Sequence, residues 1–145
     1  MKKFLFLILS GLVVSSFASD FSGNYLCHGY DTKDGDYEGD KLTLKSDPKH
    51  SYPTRNLYSY SFSLSETATG KIVYSGSAVS IGSNLSIYFK NTDKAKSTDA
   101  GVGLAFVSSS IRDKNGNFLP RTIKKFYYEQ TYVSDGSEEC TEIKN

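Results

Sequence analysis

Two cysteines, Cys27 and Cys140, stand near opposite ends of the 145-residue chain, and there are no others. If they are joined, the first and last elements of the fold must be neighbours. Joining them needs an oxidising compartment, and the opening residues supply an address. "MKKFLFLILSGLVVSSFAS" has two lysines, an apolar run over 4–14, and small residues at Ser16 and Ala18. This is the layout of a bacterial-style secretory signal peptide, with an apolar core too short for a permanent span. Residues 1–18 are therefore expected to be cut away after Ala18, with no cysteine at the cut to accept a lipid. One soluble domain over 19–145, periplasmic or secreted, is expected to remain. There the two thiols are expected to form one disulfide closing a loop of more than a hundred residues, worth ~3–5 kcal/mol in the chain-entropy model. Their spacing fits no zinc pattern.

Between the cysteines the pattern is that of strands. No segment sustains apolar spacing of three and four residues, whereas "LYSYSFSLS" alternates strictly, with Tyr58, Tyr60, Phe62 and Leu64 on one face and serines on the other. Repeating that reading along the chain gives eight strands, at roughly 22–30, 37–45, 57–65, 71–80, 84–90, 101–110, 122–133 and 137–143. Turn chemistry stands at Asp34-Gly35, Thr69-Gly70, Gly82-Ser83-Asn84, Asn115-Gly116 and Asp135-Gly136. Two longer connections, "SDPKHSYPTRN" and "NTDKAKSTDA", are polar, and the prolines of the first bar it from a central ladder. Strands joined mostly by hairpins hide their edges best by closing into an all-β, eight-stranded antiparallel up-and-down barrel. In such a barrel the strands holding Cys27 and Cys140 are adjacent, so closure and disulfide support each other. A two-sheet β-sandwich is the alternative, with the longer loops as crossings.

The opening "DFSGNYLC", with Gly23-Asn24-Tyr25 on the first strand, resembles the Gly-x-aromatic signature that lipocalins and avidins carry at the start of their barrels. The resemblance implies a calycin-like barrel over the mature chain. The family signature usually has tryptophan where Tyr25 stands, and the chain contains none. The resemblance therefore does not extend to a tryptophan-lined biotin site.

The densest run of candidate ligand atoms is "DGDYEGDKL", with carboxylates at Asp34, Asp36, Glu38 and Asp40. An EF-hand loop would start at Asp34 and place oxygen ligands at its positions 1, 3 and 5, glycine at 6 and a bidentate Glu at 12. The first four fit, but the twelfth residue is Lys45, and "DKLTLK" alternates as a strand. The run reads as the solvated lip of a hairpin, with a weak calcium site as the sharper alternative. Asp36, Glu38 and Asp40 are expected on one face.

Catalytic patterns are not apparent. Cys27 and His28 are adjacent on a strand and diverge, His50 lies in a proline-flanked loop, no serine sits in Gly-x-Ser-x-Gly, and "GVGLAF" lacks the third glycine of a dinucleotide loop. The expectation is a non-enzymatic protein with no cofactor. Without Lys2 and Lys3 the 17 basic residues become 15 against 16 acidic ones. A net charge of −1 with no basic cluster gives no electrostatic footprint for nucleic acid or an anionic membrane.

Tyrosine and phenylalanine supply the remaining signal. Tyr58, Tyr60 and Phe62 on one strand, with Phe126, Tyr128 and Tyr132 sharing a face elsewhere, are candidates to line a pocket for a small apolar or amphipathic ligand. The alternative is a protein-binding module, such as a periplasmic inhibitor of a lysozyme-type hydrolase, acting through the loop at 46–56 or 91–100. The Ser-Gly-x-x-Tyr loop of such inhibitors is approached by "SGNY" at 22–25 and "SGSAV" at 75–79, without a match at either.

Overall fold

The computed structural model describes residues 20–96, 98–108 and 112–143, so the expected signal peptide lies outside the described residues. Eight strands follow one another: β1 (Gly23–Asp31), β2 (Gly35–Ser46), β3 (Leu57–Glu66), β4 (Ile72–Ile81), β5 (Asn84–Asn91), β6 (Ala100–Val107), β7 (Thr122–Glu129) and β8 (Ser134–Glu142). Each pairs antiparallel with the next, and β8 pairs back with β1, closing the barrel in sequence order. The sandwich alternative is thereby excluded. Cys27 and Cys140 face each other in the β1–β8 register and are joined as a disulfide across the closing seam. No described helix is long and apolar enough to cross a membrane.

Alternation carries each strand's apolar set inward. On β3, Tyr60, Phe62 and Leu64 are buried while Ser61 is exposed. On β5, Leu85, Ile87 and Phe89 are buried while Ser86 and Tyr88 are exposed.

The up-and-down order puts the β2–β3, β4–β5 and β6–β7 connections and both ends of the described chain at one end of the barrel, and the β1–β2, β3–β4, β5–β6 and β7–β8 connections at the other. The first end is plugged by Phe21, which is 4 % exposed. Its N–H donates to the Tyr60 hydroxyl at 3.1 Å and its carbonyl accepts from the Tyr25 hydroxyl at 2.7 Å. Arg121 laces the plug to the wall, donating to the Glu142 carboxylate and to the Ser22 carbonyl.

Three local expectations are corrected. Strand β7 stops at Glu129 instead of reaching 133, and the turn falls at 130–133, not at Asp135-Gly136, so β8 begins at Ser134. Gly136 is a strand residue whose missing side chain makes room for Tyr127, because a Cβ there would meet the Tyr127 Cζ at 2.4 Å. The third correction is at Gly39, which has φ +86. Cys27 pairs with Asp40 but His28 pairs with Glu38, so Gly39 is an extra residue, a β-bulge. The bulge reverses the alternation: Tyr37 and Asp40 reach the interior, whereas Asp36 and Glu38 lie exposed on the outer wall. The expected shared face of Asp36, Glu38 and Asp40 does not exist.

Candidate functional site

The plugged half of the barrel is packed, and the other half is hollow. Below the loops at 32–34 and 130–133 lies a cavity of about 200 Å³. Apolar rings form part of its wall: Phe62, Phe89, Tyr74 and Tyr127, with Leu64. Three of its aromatic side chains occupy space that a glycine on a neighbouring strand leaves free. A Cβ on Gly101 would come within 2.4 Å of the Phe89 ring, one on Gly136 within 2.4 Å of Tyr127, and one on Gly29 within 2.7 Å of the Tyr37 hydroxyl. Small residues on β1, β6 and β8 thus let large rings lie along the wall and keep the centre open.

The rest of the lining is polar, with both acidic and basic side chains. Lys125, 3 % exposed, forms an ion pair with the buried Glu138 at 2.5 Å. The other Glu138 oxygen accepts from the Tyr37 hydroxyl at 3.2 Å, and Tyr37 lies 3.4 Å from the Tyr127 hydroxyl, which donates to Asp31 at 3.0 Å. On the opposite side the Tyr74 hydroxyl donates to Asp99 at 3.3 Å, and Asn91 donates to the same oxygen at 3.1 Å. Buried hydroxyls joined to carboxylates in this way fix the rings in place, since each would be costly to strand without a partner.

Burial raises the proton affinity of several of these groups. Glu129 is held above the usual carboxylate range by burial first and by neighbouring Asp99 second. Asp40 is likewise pushed up by burial and then by Glu138, with Lys125 opposing. The phenols of Tyr37, Tyr74 and Tyr127 are all driven well above their ordinary range, mainly by burial, so they stay neutral donors.

Of the six aromatic residues expected around a pocket, Phe62 lines the cavity. Tyr60 belongs to the plug, and Tyr58 is half-buried against the core. Phe126 and Tyr128 face outward, 56 % and 43 % exposed, which corrects their expected place on the pocket wall. Strand β7 turns Ile123, Lys125, Tyr127 and Glu129 inward instead. Tyr132 sits on the rim, with the Lys33 ammonium 3.4 Å from its ring centre.

Of the four carboxylates in the acidic run, Asp34 and Asp40 line the cavity and the other two do not. Among the described residues the only cluster with metal-ligand spacing is Cys27, Glu138 and Cys140, and its sulfurs are consumed by the disulfide.

The outer wall carries a second feature that strand counting does not reveal. Val102, Leu104 and Phe106 on β6 and Phe126 on β7 are each more than half exposed, and Leu104 stands opposite Phe126 in the register. The outer faces of β2 and β3 are polar by contrast, with Lys45 and Ser61 exposed.

The class these observations define is an eight-stranded antiparallel barrel with one end plugged, a disulfide across its seam, and a polar-aromatic cavity at the open end. A scan of known protein-family models finds no match for this chain, and a search of curated proteins finds no relative.

Proposed function

We propose that the chain is a non-enzymatic binding barrel, exported from a bacterial cell, that takes up one small amphipathic molecule through its open end. The observation that carries this reading is the asymmetry of the interior. One end is sealed by Phe21, Tyr25 and Tyr60, while the other keeps a cavity of about 200 Å³ walled by rings and polar groups together. Mixed linings of this kind suit a ligand whose apolar part is desolvated and whose polar part is oriented by a few fixed groups. Export is supported by the disulfide and by the layout of residues 1–18. The calycin resemblance is supported by the location of Gly23-Asn24-Tyr25 where β1 leaves the plugged end.

The test is native mass spectrometry of the mature protein recovered gently from its host, against the same sample denatured. A small-molecule adduct lost on denaturation is the expected result. A bare protein mass would count against the reading, and a co-purifying protein would favour the hydrolase-inhibitor alternative.

A further inference from the structure

We infer that two copies of the chain associate through the outer face of β5, β6 and β7, forming a twofold dimer in which the barrels lie side by side and both cavity mouths stay free. The inference concerns the outside of the wall and is independent of the small-ligand reading.

The face is apolar where the fold does not demand it. Outward positions need only tolerate water, and on β3 they are serines: Ser59, Ser61, Ser63 and Ser65. On β6 the outward positions are Val102, Leu104 and Phe106 instead. The register then sets these residues in rows across neighbouring strands. Leu104 stands opposite Phe126 on β7, and Val102 lies between Tyr88 on β5 and Tyr128 on β7. An apolar patch gathered from three strands on one side of a barrel, against a serine wall on another, marks an interaction surface.

Its area matches what a small dimer needs. Four of these six side chains are rings that are 43–56 % exposed, and at roughly 150–250 Å² a ring they present roughly 300–500 Å² together. Two copies in contact would bury roughly 600–1,000 Å² from the rings alone. Val102 and Leu104, 57 % and 64 % exposed, add to that sum and bring it to the ~1,000 Å² at which a specific interface begins. Aromatic side chains are also the residues in which interface binding energy concentrates.

Shape and charge favour a second copy over other occupants. The barrel is closed, so it offers no strand edge for pairing and association through this wall must be face to face. A twofold interface must fit itself, and this face carries both ridges and a groove. Gly103 and Tyr127 pair between the two outward rows, leaving a groove of about 490 Å³ between the Leu104–Phe126 pair and the Val102–Tyr128 pair. A ridge residue such as Leu104 on one copy fits the groove of the other. The charges around the face have both signs: Lys90 and Asp135 stand beyond the tyrosines, and Lys124, beside Phe106, is held by Glu139 at 3.2 Å. An anionic membrane would call for a basic rim instead.

The test is sedimentation velocity on the mature, disulfide-bonded protein over a concentration series. The unaltered protein is expected to be monomeric near ~1 µM and mostly dimeric by ~300 µM, the range of a small interface. Leu104→Lys brings two ammonium groups into the shared apolar seam and is expected to weaken association about a hundredfold. Ser61→Lys, on the serine wall, is expected to leave it unchanged. Thermal midpoints taken in dilute solution verify that each variant is folded, and Val102→Lys replaces Leu104→Lys if the latter is not. A monomer throughout the series overturns the inference, and so does a dimer that survives Leu104→Lys with undiminished affinity. Flotation with phosphatidylcholine–phosphatidylglycerol vesicles covers the remaining occupant: a chain that stays monomeric and binds the vesicles through Leu104 overturns the dimer in favour of a lipid surface.

Discussion

Lys125→Met is the substitution whose outcome the structure fixes most tightly. Lys125 and Glu138 are each 3 % exposed, and their charged atoms lie 2.5 Å apart. Removing the ammonium strands the buried Glu138 carboxylate beside the disulfide sulfur of Cys140, with only the Tyr37 hydroxyl donating to its other oxygen. Breaking one side of a buried pair costs about 3–5 kcal/mol, whereas replacing both sides by neutral groups of similar size is often close to neutral. Lys125→Met/Glu138→Gln keeps an acceptor for Tyr37 and removes both charges, so it is expected to recover most of the loss. The assay is urea unfolding with the disulfide intact, followed by tyrosine fluorescence, since the chain has 11 tyrosines and no tryptophan. A double-mutant cycle built on Lys125→Met, Glu138→Gln and the pair should then show strong coupling. A single substitution costing less than about 1 kcal/mol, or a double variant as unstable as the singles combined, would refute the account of a mutually dependent buried pair.

Three further outcomes are expected. Reducing the Cys27–Cys140 bond should lower the thermal midpoint, corresponding to a loss of roughly 3–5 kcal/mol, and an unchanged midpoint would remove the seam from the stability account. Phe89→Ala, which empties a wall position 4 % exposed, should cost about 3–5 kcal/mol in chemical unfolding, while Phe126→Ser on the outer face should change stability by only about 0.5 kcal/mol; the reverse order would mean that β7 or β5 is out of phase. Glu129 and Asp40 both bind protons more tightly in the folded protein than in the unfolded chain. Their contribution to stability is therefore greatest at low pH and declines as pH rises above their ordinary values of 4.5 and 3.8. Glu129→Gln should flatten that slope in unfolding free energies measured from pH 4 upward, and an unaltered slope would contradict the shift.

The barrel was legible because its constraints are local and repeated. Alternation in "LYSYSFSLS" fixes which face of β3 is buried, and a cysteine on the first and last strands fixes the seam. The cavity was less legible because its wall violates the pattern that reveals the strands. On β7 the outward set, Phe126 and Tyr128, is as aromatic as the inward set is charged, so apolar counting selects the wrong phase. Lys125 and Glu129 are admitted to the interior by partners that the linear sequence does not place beside them: Glu138 on β8, and Tyr74 on β4. Two glycines did carry usable signals. Gly39 inside a strand pattern marks a bulge, and that bulge separates Asp40 from Asp36 and Glu38. Asp135-Gly136 reads as a turn in the sequence, whereas Gly136 leaves room on β8 for Tyr127.

Both ends of the described chain emerge beside the plug, where the Ile143 N–H donates to the Asn24 carbonyl at 2.8 Å. A linker, tag or solid support attached at either end of the described residues therefore holds the molecule by its sealed base. A fusion made at residue 20 or residue 143, in either order, leaves the open end of the cavity uncovered.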